Sequence, residues 1–159
     1  MHVRQMLSTD VVTVAPDTDF PSLIRLFAEK PQRLLHVVGE DRKLLGVISS
    51  FELLDKLSPG FVDANLARAL PADYDERAVR RSYEEHRELK ARDILRPKLT
   101  PLGPEDHYVE VETLMRQQGI TVLPVVDAQG RLLGEISLKK VLRYLAGICC
   151  NSGERCEKS

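Results

Sequence analysis

The strongest constraint on the fold of this chain is an internal duplication, in which two copies of one pattern lie 88 residues apart. The segment 44–49 reads Leu-Leu-Gly-Val-Ile-Ser, and the segment 132–137 reads Leu-Leu-Gly-Glu-Ile-Ser. The apolar segment 34–38 matches 122–126 at the same offset, and Pro16 matches Pro104. Several matches in one register, without a gap, indicate two copies of one structural unit.

Each copy has the residue pattern of a β-α-β-β-α unit. Apolar residues at helical spacing follow a short β-branched run, and two apolar strands and a second amphipathic helix come next. A unit of about 55 residues buries little core by itself. We therefore expect an α/β (α+β) fold in which two repeats pack sheet to sheet. In the first copy the predicted elements are a strand at 11–14, a helix capped by Asp17 or Asp19, strands at 34–38 and 44–48, and a helix from Ser50.

A helical insert is predicted between the two copies. The first helix of this insert is expected to carry Phe61, Val62, Leu66, Ala69 and Leu70 on one face and to end at Pro71. The predicted organisation is a first repeat at 1–57, the insert at 58–90, a second repeat at 91–147 and a flexible tail at 148–159.

The second helix of the insert is expected from Glu76 to about Lys90, with Asp73 or Asp75 as its cap. Opposite charges four residues apart predict ion pairs of Arg80 with Glu84 and of Arg81 with Glu85, beside a thin apolar stripe of Val79, Tyr83 and His86. Two interpretations of the insert remain open. It contacts a partner, or it is a solvated crossover that shields the rest of the chain.

Charge and cysteine usage exclude several classes of protein. A net charge of −1 provides no field of one sign that would attract nucleic acid or an anionic membrane. No segment reaches the ~20 apolar residues of a membrane span, and the first residues lack the apolar core of a signal peptide. Cys149, Cys150 and Cys156 all lie near the end of the chain, a distribution that favours a reducing compartment over a disulfide-stapled secreted domain. We therefore expect a cytoplasmic protein.

The sequence contains no recognisable catalytic or metal-binding motif. It has no glycine-rich phosphate loop, and its four histidines are scattered. The three cysteines are consistent with a soft-metal or redox site, or with an exposed and frayed tail. We predict neither an enzyme nor a metal site.

Three features together resemble a tandem pair of cystathionine β-synthase (CBS) domains, also called a Bateman module. They are the strand that ends in Val14-Ala15-Pro16, the Leu-Pro-Val-Val-Asp run at 123–127, and the repeated Leu-Leu-Gly-x-Ile-Ser segments. The resemblance covers about residues 1–57 and 91–147. It implies a regulatory module that binds adenosine-type ligands in two clefts between the sheets. It also implies a homodimer, because helices like those at 51–57 and 138–145 meet across subunits in this family.

The resemblance further implies a ligand set in each copy. In the family a Ser or Thr that ends the third strand contacts phosphate, and an Asp three residues later grips the ribose hydroxyls. These positions hold Ser49 and Glu52 in the first copy, and Ser137 and Lys140 in the second. A carboxylate accepts from two vicinal hydroxyls, whereas Lys140 only donates and could instead pair with a phosphate. The predicted ligand-binding residues are Thr13, Val14, Ala15, His36, Ser49, Glu52, Leu102, Pro124, Ser137 and Lys140.

Simpler roles can explain the same residues. Ser49 and Ser137 could only cap their helices, with Glu52 and Lys140 facing solvent. His36, which stands where the second copy has Pro124, could bond a base or merely fill space.

Two functions follow from these alternatives. The first is a regulatory module that requires no cofactor, senses AMP, ADP, ATP or a related adenosyl ligand, and acts through its dimer on an unknown regulated protein. The second is a ligand-free dimerisation or protein-interaction scaffold with degenerate clefts.

Overall fold

The computed structural model describes residues 1–58, 64–71 and 74–150. It has the mixed α/β architecture that the sequence predicts, with two small sheets. The strands are β1 (Thr13–Val14), β2 (Leu34–Val38), β3 (Leu44–Ser49), β4 (Val122–Val126) and β5 (Leu132–Ser137). The helices are α1 (Phe20–Glu29), α2 (Ser50–Leu57), α3 (Ala64–Ala69), α4 (Tyr74–His86), α5 (Ala91–Ile94), α6 (Tyr108–Gln118) and α7 (Leu138–Cys150), together with 3-10 turns at Val3–Gln5 and Glu40–Arg42.

Local signals in the sequence place most of these elements correctly. Asp19 caps α1, because its Oδ1 accepts a hydrogen bond of 2.8 Å from the backbone N–H of Ser22. Hydrogen bonding from Ser22 also lowers the pKa of the Asp19 carboxyl. Pro21 lies in the first turn of α1, where its missing N–H costs nothing, and the helix ends at Glu29.

The first strand of the first copy is shorter than the predicted 11–14. β1 holds only Thr13 and Val14, which pair in parallel with β2. In the second copy the equivalent strand is reduced to a single bridge at Leu102, whose N–H donates to Pro124 O at 2.9 Å and whose carbonyl accepts from Val126 N at 2.8 Å. The ladder does not extend, because Pro104 has no N–H to donate and the N–H of Thr100 donates to Oε1 of Gln118 instead.

The chain divides into two compact units that do not coincide with the two sequence repeats. The first-repeat unit consists of Val12–Glu40 and Leu45–Lys98. The second-repeat unit consists of Met1–Val11, Asp41–Leu44 and the described residues from Leu99 onward. The start of the chain therefore belongs with the second repeat, and α5, which precedes the second repeat, belongs with the first.

Backbone hydrogen bonds hold each of these helical turns in the unit of the other repeat. The bonds in the two units join residues that match at the 88-residue offset. In the second-repeat unit, Val3 N donates to Asp106 O at 2.9 Å. In the first-repeat unit, Ala91 N donates to Thr18 O at 2.9 Å. Each repeat thus holds the short helical turn that precedes the other repeat. The bonds from Arg4 N to Pro104 O (3.1 Å) and from Arg92 N to Pro16 O (2.9 Å) follow the same rule.

Each unit has its own apolar core between its sheet and its helices. The cores consist of buried branched aliphatics with few aromatics, as the composition indicates. The first-repeat core contains Val14, Phe20, Leu23, Leu35, Val37, Ile48, Leu53, Ala91 and Ile94. The second-repeat core contains Val3, Met6, Leu102, Val111, Met115, Leu123, Val125, Ile136 and Val141.

The insert packs on the first-repeat unit through α4. Tyr83 lies against the core and stacks on Phe20, with ring centroids 6.2 Å apart. The prediction that Arg80 pairs with Glu84 is wrong, because Arg80 pairs with Glu76 at 2.8 Å, the orientation in which the acid precedes the base by four residues. Helix α4 begins at Tyr74 rather than Glu76 and ends at His86 rather than near Lys90.

Parts of the predicted insert and tail lie outside the described residues. These are Phe61, Val62, the candidate cap Asp73 and Cys156. Helix α7 continues to Cys150, so a tail boundary at 148 falls inside that helix, on which Cys149 is exposed. Among the helices that the structure describes, none is long and apolar enough to cross a membrane.

Candidate functional site

The first-repeat unit brings three polar side chains together where β3 ends and α2 begins. Glu52 turns back onto Ser49, and its Oε2 accepts from the Ser49 N–H at 2.6 Å and also from the Ser49 hydroxyl. The other carboxylate oxygen, Oε1, forms an ion pair with Nε of Arg96. The Glu52 side chain is only 14% exposed, so it does not face solvent as the simpler interpretation supposed.

Arg96 is held beside this pair by its own backbone. Its N–H donates to Val47 O at 2.8 Å, and its carbonyl accepts from Val47 N at 3.4 Å. Val47 is a buried residue of β3, two positions before Ser49. The Arg96 side chain is 43% exposed, and it therefore reaches both Glu52 and solvent.

The remaining predicted residues of the first copy lie on β1 and β2. Thr13 is paired in register with His36, and Val14 with Val37. Thr13 and Ala15 are exposed, whereas Val14 is buried. His36 is fully buried, and its backbone N–H donates to Val12 O at 3.0 Å. Burial lowers the pKa of the His36 imidazole to about 4, so the ring is neutral at neutral pH. This burial favours the interpretation in which His36 fills space.

The second-repeat unit contains the other four predicted residues in a different arrangement. Leu102 and Pro124 are buried. Ser137 caps α7, because its Oγ accepts from the Lys140 N–H at 3.2 Å. The Lys140 side chain is exposed. This geometry matches the simpler interpretation of Ser137 and Lys140.

Glu135 is a partly buried acid of the second-repeat unit that was not predicted as a candidate. It stands where the first copy has Val47, and its N–H and carbonyl both bond to Ser8 at 2.9 Å. Burial, with a further contribution from the negative charge of Asp10, raises the pKa of the Glu135 carboxyl to about 7. A significant fraction of this side chain is therefore protonated near neutral pH.

Comparison with known proteins identifies the family of this chain. The CBS domain pattern matches residues 3–59 and 91–147. The chain belongs to the CBS domain family.

Relatives and solved structures agree with this assignment. An uncharacterized protein of Methanocaldococcus jannaschii is 28% identical over an alignment of 154 residues that covers 91% of this chain and 91% of that protein. The CBS-pair protein CBSX2 from Arabidopsis thaliana has the same fold, with a TM-score of 0.73 at 22% identity over 95% of this chain and 98% of that one. The CBS domain pair of a protein crystallised with 5′-methylthioadenosine and S-adenosyl-L-methionine has a TM-score of 0.67 at 16% identity over 93% of this chain and 98% of that chain.

The predicted ligand set of this CBS pair therefore separates into one group in each unit. Ser49 and Glu52 touch each other in the first-repeat unit, and Arg96 joins them.

Sequence reasoning missed Arg96 and Glu135. The available signal was a charge present in one copy and absent from the other, since Arg96 matches Ser8 and Glu135 matches Val47 at the 88-residue offset. In residues 1–58, 64–71 and 74–150, no three His, Cys, Asp or Glu side chains group as metal ligands.

The helical face of the second CBS repeat carries an apolar groove between α6 and α7. Its volume is about 480 Å³, and its walls include Tyr108, Met115, Ile120, Leu142 and Leu145. Tyr108 matches Phe20 at the 88-residue offset, and Phe20 is the residue that Tyr83 of the insert covers in the first repeat. Leu142, which lines the groove, is 56% exposed.

Proposed function

We propose that this CBS pair is a regulatory module that binds an adenine nucleotide or a related adenosyl ligand. The proposed site is the one formed by Ser49, Glu52 and Arg96. Occupancy of the site is transmitted through a homodimer to a regulated protein, and the cysteine usage favours the cytoplasm as the compartment. The module requires no cofactor and catalyses no reaction.

The observation that carries the proposal is the largely buried carboxylate of Glu52. The contacts with Ser49 and Arg96 compensate the burial of this charge and hold the carboxylate at the end of β3. Glu52 is 14% exposed and lies at the position where the family grips a ribose. Solved structures of the same fold support the ligand class, because CBSX2 has been crystallised with AMP and another CBS pair with 5′-methylthioadenosine and S-adenosyl-L-methionine.

Thermal denaturation with a panel of adenosine compounds tests this function. A ligand at a hundred times its Kd is expected to add about 2.7 kcal/mol to the free energy of unfolding, which is readable as a rise in Tm. We expect a rise with at least one of AMP, ADP, ATP, S-adenosyl-L-methionine and 5′-methylthioadenosine.

Two variants assign the binding to one unit. Glu52→Ala is expected to remove most of the Tm rise, because it deletes the acceptor for the ribose hydroxyls. Lys140→Ala, the matched change in the second repeat, is expected to keep it. If no compound raises the Tm of the parent protein, the ligand-free scaffold becomes the better function.

We propose that the dimer forms through the apolar helical faces of both repeats. Phe51 and Leu54 on α2, and Leu138 and Leu142 on α7, are exposed apolar side chains on the helices that the family resemblance places at the subunit interface. The α6–α7 groove enlarges this apolar face in the second repeat, whereas α4 already covers Phe20 in the first.

Glutamate substitutions in these helices test the dimer. Leu142→Glu is expected to convert the dimer to monomer at micromolar concentration, because it would bury an unpaired charge at a cost of about 3 kcal/mol or more. Leu54→Glu should weaken the dimer less, because α4 of the insert already packs against α2 in the first-repeat unit. Leu133→Glu, on the exposed side of β5, is the matched control and should leave the mass unchanged in light scattering. A parent protein that is monomeric would contradict the proposal.

A further inference from the structure

The state of Glu52 limits which ligands can use it. Its Oε2 accepts from both the N–H and the hydroxyl of Ser49, and its Oε1 is paired with Arg96. Both carboxylate oxygens are therefore engaged before any ligand arrives. A ribose that bonds to Glu52 through its two hydroxyls has to replace at least part of these contacts.

Replacing the ion pair leaves the Arg96 guanidinium to be compensated. The backbone of Arg96 stays beside β3, because it is bonded in both directions to Val47, and its guanidinium therefore remains within reach of the site. An uncharged nucleoside offers two hydroxyl donors to Glu52 and nothing to the guanidinium. A phosphate offers charged acceptor oxygens that match the planar donors of arginine, and such charge-assisted bonds are about twice as strong as neutral ones.

From this pairing, and on the basis of the function proposed above, we infer that the site selects ligands that join a vicinal diol to an anionic group. Nucleoside phosphates such as AMP fit this requirement, whereas adenosine and 5′-methylthioadenosine lack the anion. Arg96 is the anion-binding residue and Glu52 the diol-binding residue. The Glu52–Arg96 ion pair closes the site when no ligand is bound, and a ligand that supplies only one of the two groups opens it at a net cost.

The second repeat lacks both residues on which this selectivity depends. There the residue matching Glu52 is Lys140, and the residue matching Arg96 is Ser8. The second-repeat position therefore has a cation but lacks the carboxylate that would hold a ribose. Lys140 is also exposed, so any attraction of an anion to it is screened by salt.

Calorimetric titration of AMP and of adenosine into the same protein tests the inference. For the parent chain, we expect AMP to bind at least about tenfold more tightly than adenosine, the difference expected from one charge-assisted contact. Arg96→Gln is expected to lower the affinity for AMP by about tenfold and to leave the affinity for adenosine equal or higher, because Glu52 is released. The ratio of the two Kd values is the readout.

Two further variants serve as controls. Arg96→Lys keeps the charge without the planar donors and should give an intermediate ratio. Lys140→Gln changes the cation of the other repeat and should leave the ratio at the parent value. Circular dichroism and Tm verify that each variant is folded.

The outcomes separate this inference from the proposed function. If the parent binds AMP and the ratio is the same in Arg96→Gln, the inference is overturned and the proposed function stands. If the ratio changes in Lys140→Gln instead, the anion-binding residue is assigned to the wrong repeat. If the parent binds neither compound, nor any other member of the adenosine panel, the proposed function fails and the inference fails with it.

Discussion

Gly134→Ala and Gly46→Ala are each expected to lower the free energy of unfolding by about 3 kcal/mol, the cost of overpacking together with a damaged backbone pair. A Cβ at Gly46 would lie 2.6 Å from the carbonyl oxygen of Arg96 and 2.7 Å from Cδ1 of Leu95. A Cβ at Gly134 would collide with the carbonyl oxygen of Ser8. Neither carbonyl can retreat freely, because each accepts a backbone hydrogen bond from the strand that contains the glycine.

Urea denaturation monitored by circular dichroism measures this loss. Gly147→Ala is the matched control, because a Cβ at this helical glycine meets nothing within 4 Å. That control is expected to be neutral or to gain up to about 1 kcal/mol from helix propensity. If Gly134→Ala were as stable as the parent, the close approach of the chain start to β5 would be incorrect. The result also bears on the repeated Leu-Leu-Gly segment, whose glycine is explained by this approach.

Removing His36 and removing Glu135 are expected to change the pH dependence of stability in opposite directions. Burial lowers the pKa of His36 to about 4 from an ordinary value of 6.5. Between these two values the unfolded state binds more protons than the folded state, so this group makes stability rise with pH. The difference between the two pKa values of His36 corresponds to at most about 3 kcal/mol of unfolding free energy, since one pKa unit is worth 1.36 kcal/mol.

Glu135 acts with the opposite sign. Its pKa is raised to about 7 from an ordinary 4.5, mainly by burial, so the folded state binds more protons between those values. Stability from this group is present below pH 4.5 and is lost as the pH rises through 7. The side chain is only partly buried, so its contribution is smaller than that of His36. In the parent protein the two effects partly cancel.

Difference measurements isolate each group. The free energy of unfolding of His36→Leu, minus that of the parent, is expected to fall as the pH rises from 4 to 6.5, because the rising contribution has been removed. The same difference for Glu135→Gln is expected to rise between pH 4.5 and 7. Differences that do not vary with pH in either variant would show that these groups titrate in the folded protein as they do in the unfolded chain.

Much of the fold could be predicted because its signals are local. The cap by Asp19, the end of α1 before Pro31 and the apolar strands 34–38 and 122–126 each depend on residues a few positions apart. The predictions that failed depended on a choice among nearby alternatives. Arg80 had acids on both sides along its helix and pairs with Glu76. The first strand begins at Thr13 rather than Val11, within a run of β-branched residues that could start it at any position.

The sequence by itself determined the duplication, the order of elements in each repeat, the CBS resemblance and the positions of Ser49, Glu52, Ser137 and Lys140. Only the tertiary structure decided that each repeat holds the helical turn preceding the other. This exchange brings Arg96 to Glu52 and Ser8 to Glu135, across separations of more than 40 residues. Two copies with one pattern offer the same backbone partners to either turn, so local propensity cannot choose between them. The choice depends on hydrogen bonds and packing that exist only in the folded chain.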